Sequence, residues 1–250
     1  MPSSRITGAK LDHIAFGLPS LADAPDTLVG LLGGRPLEGG PNPDFIGCQW
    51  EFARGARIEC IAPNDSPTSF MKRFVETRGS GVHHMTFKVP DIYAARDEAE
   101  ALGYIVTGFS DRYEAWKELF LHPKSAHGIV IQMAQTNPDL PDDSWSRDFD
   151  FPPYEGSNQV PSEPADLLGI RLVVERPEHA ERLFGELLGG GATIDGQRTI
   201  YRWHESPLWV AVVVDSATEE GPQAIEVRAA SCSRLSEVGI AAMGGRFEPA

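Results

Sequence analysis

The chain has 250 residues, of which 41% are hydrophobic and 23% charged, and its formal net charge is −14. That length holds one large domain or two modest ones, and the apolar content excludes global disorder. Strong acidity with scattered basic residues argues against nucleic acid and membrane as partners.

The first ten residues are polar and lack the apolar core of a signal peptide, and no apolar run reaches bilayer-spanning length. Cys48, Cys60 and Cys232 are an odd number without a CxxC spacing. Neither a disulfide framework nor a cysteine zinc site is indicated, and a reducing, cytoplasmic location is expected.

The pattern predicts a strand over 11–16, then a helix over about 20–32 stopped by Gly33-Gly34. Strands near 49–52 and 57–61 follow. A second unit opens with a strand over 84–89. Asp91 is the expected N-cap of a helix over 92–102, stopped by Gly103. Strands over 104–108, 117–122 and 128–133 complete a βαβββ unit, with which the first unit is compatible. A linker comes next, broken by Pro138, Pro141, Pro152, Pro153, Pro161 and Pro164 beside acids such as Asp142 and Asp143. Such a segment is extended or irregular, but Trp145, Phe149, Phe151 and Tyr154 are expected to dock it on a domain surface. A third, weaker copy then shows a strand over 168–174, a helix over 177–188 ending in Gly189-Gly190-Gly191, and strands over 199–204 and 209–215. A strand over 224–227 could begin a fourth. Gly169 stands where the first copy has His13, and 210–214 is wholly apolar. This copy is therefore expected to lack metal ligands. The expected domains are 1–136, a proline-rich linker at 137–164, and 165–250.

Four polar side chains on predicted strands carry the chemistry: His13, Glu59, His84 and Gln132. Each of the first two units opens on a histidine-bearing strand and closes on a strand with a second potential ligand. Successive strand side chains alternate between faces. Most of their immediate neighbours, Ile14, Ile58, Cys60, Met85, Ile131 and Met133, are apolar and predict a face packed on helices. Two imidazoles, a carboxylate and a carboxamide on the opposite buried face are costly unless they bind something. One divalent ion is the expected ligand, and zinc, nickel, cobalt, manganese and iron all suit the donors. Gln132 can ligate through oxygen or hydrogen-bond from outside the coordination sphere. His83 should face the helices, and His122, before Pro123, fits a turn.

Leu-Asp-His-Ile-Ala at 11–15, Gly-Val-His-His-Met at 81–85, Phe-Leu-His-Pro-Lys at 120–124 and Gly-Ile-Val-Ile-Gln-Met at 128–133 carry a resemblance. The region 10–135 resembles the vicinal oxygen chelate superfamily (glyoxalase, bleomycin resistance, extradiol dioxygenase). It is most similar to the methylmalonyl-CoA epimerase-like branch. The resemblance implies an α+β protein of paired βαβββ modules forming a cupped mixed sheet, with a third, degenerate module at the C-terminus. It implies metal ligation by His13, Glu59, His84 and Gln132. It also implies chemistry in which the metal polarises a carbonyl or adjacent oxygens of a small organic substrate, of isomerase or lyase type.

That resemblance expects glutamate at 132, where it doubles as a base. Gln132 cannot accept a proton at neutral pH, so Asp44, Glu114 and Glu118 become replacement candidates, each also readable as a solvated acid. Glu59 and Gln132 remain expected catalytic positions. Arg57 and Thr86 share the ligand face and are expected to meet substrate, and Trp50 and Trp116 are expected to line the cavity. A small-molecule substrate and a homodimer are compatible with this reading. Two alternatives stay open: a non-heme iron dioxygenase using two histidines and one glutamate, and a non-catalytic binding or resistance protein.

Overall fold

The computed structural model describes residues 5–140, 145–157, 159–228 and 243–250. Pro141, Asp142, Asp143 and Cys232 lie outside the described residues. The first module comprises β1 (Lys10–Gly17), β2 (Arg35–Pro41), β3 (Ile46–Glu51) and β4 (Arg57–Ala62), followed by helix α1 (Phe70–Arg78). The second comprises β5 (Gly81–Lys88), α2 (Ile92–Ala101), β6 (Val106–Tyr113), β7 (Trp116–Leu121) and β8 (Val130–Thr136). The third comprises β9 (Leu167–Val174), α3 (Pro177–Ala180), β10 (Gly191–Asp195), β11 (Arg198–Arg202) and β12 (Trp209–Val214). Strands β13 (Gly221–Val227) and β14 (Phe247–Pro249) follow.

One sheet runs β2-β3-β4-β1-β5-β8-β7-β6 and the other β10-β11-β12-β9-β13-β14. The motif repeats: in each module the closing strand lies parallel to the opening strand, as β4 on β1, β8 on β5 and β12 on β9. Strand β14 lies on β13 in the same way. The protein is therefore α+β, built of βαβββ modules with a third at its C-terminal end.

The segment predicted as one helix over 20–32 is wound differently. A 3₁₀ turn at Leu21–Asp23, capped by Ser20, is followed by a π-helical stretch at Asp26–Leu31. Pro25 separates them and has no N–H to continue an α ladder. The Leu32 N–H reaches back five residues to the Thr27 carbonyl at 3.1 Å. The third module's helix likewise changes after one turn, to a π-helical Glu181–Leu187. Asp91 caps α2 as expected, accepting from the N–H groups of Tyr93 and Ala94.

The residues gather into two compact units, 1–12 with 84–142 and 169–224, and 13–83 with 143–168 and 225–250. In the first, Phe87 meets Trp203 edge-on at 4.9 Å between ring centroids, and Trp203 Nε1 donates to the Leu188 carbonyl. Arg5 joins Glu98 of α2 to Glu186, each at 2.9 Å. At Gly169 a Cβ would lie 2.1 Å from the Trp209 carbonyl oxygen. No side chain fits where the first module carries His13.

In the second unit the proline-rich segment wraps edge strand β2. Ser146 bridges Gly39, and the Trp145 ring lies over Gly47. Phe149 packs on Phe151, and Phe151 packs edge-on against Trp50. Tyr154 covers Gly30, where an added Cβ would come within 2.5 Å of its ring. The aromatic residues thus dock the segment on this unit. At its end Asp166 takes Arg54 Nε at 2.6 Å and Arg228 Nε at 2.7 Å. Burial works against the Asp166 carboxylate, but these two guanidinium hydrogen bonds hold its pKa below the usual range. Among the described residues no helix is long and apolar enough to cross a membrane.

Candidate metal centre

Strand register sets the candidate face. Ala15 pairs with Glu59 across β1 and β4. His13, two residues before Ala15, therefore points to the same side as Glu59. His13 Nε2 lies 2.7 Å from Glu59 Oε2, with side chains only 2% and 8% exposed. Across β3 and β4, Gln49 is opposite Glu59 and shares that face. Cys48 and Cys60 face the other way and are buried, which pushes both thiols far above their ordinary pKa.

The second module repeats the plan. Thr86 pairs with Gln132 across β5 and β8, and Phe120 pairs with Gln132 across β7 and β8. His84, Thr86 and Gln132 are all buried. The Thr86 hydroxyl donates to Gln132 Oε1 at 2.6 Å, and Gln132 Nε2 donates to Glu118 Oε2 at 2.7 Å. Trp116 Nε1 donates to the same Glu118 oxygen at 2.9 Å, and Lys88 Nζ sits 3.5 Å from the Trp116 ring centroid. This chain fixes the carboxamide. Turning it over would set its oxygen against the Glu118 carboxylate and its NH₂ against Thr86.

Ligand atoms of His13, Glu59 and His84 lie within 4.8 Å of one another, and all three residues are buried. Two imidazole nitrogens and one carboxylate are a donor set that suits several first-row divalent ions. His13 Nε2 and Glu59 Oε2 lie 2.7 Å apart, and both groups ligate a divalent ion in their deprotonated forms. The residues fit the group.

The other expected site residues are placed as follows. Arg57 is half-buried, two residues before Glu59 on its face. Trp50, expected to line the cavity, is fully buried instead. Its register with Ile58 turns it away from Glu59, toward Phe151. Trp116 stands on the Glu118 side of β7. Asp44 lies in the β2–β3 loop, where its Oδ1 accepts from Thr68 Oγ1 at 3.0 Å. Asn64 Nδ2 pins that loop by donating to the carbonyls of Asn42 and Pro43. Glu114 is exposed and pairs with Lys117. His83 packs between Phe70 and Phe74 of α1, and His122 caps the turn at Pro123–Ser125. Gln49 was not anticipated. The signal that finds it is the hairpin register with Glu59, not its own neighbours.

The model of the Glyoxalase/Bleomycin resistance protein/Dioxygenase superfamily matches residues 12–120. An ethylmalonyl-CoA/methylmalonyl-CoA epimerase of Cereibacter sphaeroides is 26% identical over 130 residues, 50% of this chain and 97% of that protein. A hypothetical protein from Staphylococcus aureus has the same fold over 97% of this chain and 100% of its own (TM-score 0.64, 11% identity). A mutant 4-hydroxymandelate synthase from Streptomyces coelicolor matches in fold over 91% of this chain and 71% of its own (TM-score 0.57, 14% identity). Residues 12–120 of this chain are thus similar to the glyoxalase, bleomycin resistance and dioxygenase superfamily.

Proposed function

We propose that this chain is a metal-dependent enzyme of the isomerase or lyase type, acting on a small organic substrate with a carbonyl or adjacent oxygens. His13, Glu59 and His84 hold one divalent ion, with Gln132 in or beside the coordination sphere. The observation that carries this reading is the approach of three buried ligand atoms to within 4.8 Å of one another. The epimerase relative supports proton transfer as the class of chemistry. A divalent ion bound there polarises the oxygen it touches and stabilises negative charge on it.

The protein's own groups supply the rest. Glu118 and Thr86 hold the Gln132 carboxamide in one orientation, so its oxygen stays on the Thr86 side. Gln132 is neutral and takes no proton. Asp44 and Glu118 are the two carboxylates that would accept a proton from the substrate. Arg57 offers positive charge to an anionic substrate, and Trp116 offers an apolar wall. Metal analysis of the untagged protein after reconstitution with zinc, nickel, cobalt, manganese or iron tests the reading. One ion per chain is expected in the wild type and none in H13A/H84A. A wild type that takes up none of the five ends it.

A second reading has its own support. Two histidines and one glutamate match the ligand set of non-heme iron oxygenases, and both ends of the Gln132 carboxamide are engaged by Thr86 and Glu118. Oxygen uptake after anaerobic ferrous loading would favour it over the isomerase or lyase reading.

A further inference from the structure

Gln49 is 7% exposed, and its Oε1 is buried with no hydrogen-bond partner among the described residues. A buried acceptor without a donor is costly, and native proteins keep few of them. This one stands directly across from Glu59 in the β3–β4 register, on the face that also carries His13. Two residues earlier Gly47 lies under the Trp145 ring, so the strand is covered at one end and Gln49 stands at the margin of that cover. Its neighbours on the chain, Cys48 and Trp50, are fully buried on the opposite side. Packing therefore does not explain a carboxamide here. An apolar side chain of equal length would fill the same space without an orphaned oxygen.

We propose that Gln49 reads a hydrogen-bond donor on the substrate, a hydroxyl or amide N–H one bond beyond the oxygens presented to the ion. This rests on the metal-centre reading above and names a specificity determinant for it. It assigns the site a class of substrate: oxygen chelators with an adjacent donor, preferred over those with an adjacent methyl or ether. If the carboxamide is turned over, the buried NH₂ donates to a hydroxyl and an ether oxygen alike, so both substituted probes gain over acetohydroxamate and the ether probe decides the orientation.

The test uses the full chain loaded with cobalt(II), its metal content measured first, and three hydroxamate probes titrated by the cobalt absorption bands. Acetohydroxamate supplies only the chelating oxygens, glycolohydroxamate adds a hydroxyl, and methoxyacetohydroxamate adds an ether. One net hydrogen bond corresponds to about a 3- to 10-fold preference. The wild type is expected to bind glycolohydroxamate that much more tightly than acetohydroxamate. In Q49M the preference should vanish while acetohydroxamate affinity stays the same. Thermal unfolding gives a readout that a structural role would move the other way. An orphaned oxygen removed should leave the Tm of Q49M equal or higher, whereas loss of a structural hydrogen bond lowers it. Equal affinities for the three probes in the wild type overturn the proposal, as does a lowered Tm with the preference retained. A wild type with full metal content that fails only the probe comparison refutes the role of Gln49 alone. A wild type without metal refutes both readings.

Discussion

Glu59→Gln isolates the anionic ligand. The substitution keeps shape and hydrogen-bonding capacity and removes one charge from a side chain that is 8% exposed and 2.7 Å from His13 Nε2. Solvent screening is weak at that depth, so the loss is not the near-zero value of a surface pair. Hydrogen bonds to charged groups exceed neutral ones by about 1 kcal/mol. For a chain of this size that lowers the metal-free Tm by about 2–4 °C. The larger effect appears with metal. At a hundred-fold excess over Kd, binding stabilises the wild type by about 2.7 kcal/mol, or about 5–11 °C. Loss of an outer-shell partner alone costs about 10–100-fold in affinity, and loss of a direct anionic ligand should cost no less. The Tm rise should therefore fall to about half or less in E59Q at the same metal concentration. Parallel melts of both proteins across the five metals measure this. Equal metal-dependent rises would show that Glu59 is not a ligand, whatever its distance from His13.

Other outcomes follow from the same geometry. Gln132→Glu sets a second carboxylate 2.7 Å from Glu118 Oε2, and two like charges that close cannot both ionise freely. Q132E should melt about 3–6 °C lower, and Q132E/E118Q should recover most of the loss; no recovery would place the damage elsewhere. Wild-type protein should exchange solvent deuterium into methylmalonyl-CoA, or into the methylglyoxal–glutathione hemithioacetal, only weakly. Robust exchange would show that the site serves these substrates without a glutamate at 132, with D44N and E118Q deciding which carboxylate is the base. Asp166→Asn should destabilise by about 1–2 kcal/mol near neutral pH, since it loosens Arg54 and Arg228 together. Asp166 has a lowered pKa in the folded state. Its contribution is thus present above the unfolded carboxylate value and lost as pH falls through the folded one. The gap between wild type and D166N should therefore close in acid, and a gap that widens there would contradict the ion cluster. Gly30→Ala should displace Tyr154 and speed proteolysis within 145–157, read by fragment mass.

The parts legible from the sequence were those with strong local signals. Histidine-bearing strands, the Asp91 cap and the glycine stops at Gly33, Gly103 and Gly189 each follow from residues within a turn of one another. Strand β2 was not legible, because Arg35–Pro41 holds two prolines and two glycines and reads as loop. It forms as an edge strand, where a missing N–H is tolerated, with a bulge between Pro36 and Glu38. Strand β10 was hidden by the same glycine signal and is exposed throughout. Trp50 shows a different limit. Alternation says that Gln49 and Trp50 face opposite ways, but not which of them joins Glu59. Only the pairing of β3 with β4 decides that, and it is long-range information.

That pairing also shows how the first two modules differ. In both, the residue two after the opening histidine pairs with the closing-strand ligand position, Ala15 with Glu59 and Thr86 with Gln132. In both, the adjacent hairpin strand sets one residue across from that position, Gln49 in the first module and Phe120 in the second. The first module thus gives its ligand a carboxylate, no hydroxyl from Ala15, and a neighbouring carboxamide with an orphaned oxygen. The second gives its ligand a carboxamide, a hydroxyl from Thr86, and an aromatic neighbour. Its carboxylate stands one strand outward, at Glu118, and meets Gln132 through a hydrogen bond. On the proposed reading, a substrate group beside Glu59 meets a carboxylate and the Gln49 carboxamide, whereas one beside Gln132 meets an amide held on both sides. The asymmetry predicts that the two modules are not interchangeable: transplanting Phe120's identity to the first, as Q49F, should abolish hydroxyl preference without disturbing the Glu118–Gln132–Thr86 chain. A metal-dependent Tm rise that survives in Q49F while probe selectivity is lost is the expected pair of results. Loss of the metal response as well would mean that Gln49 supports the ligands themselves.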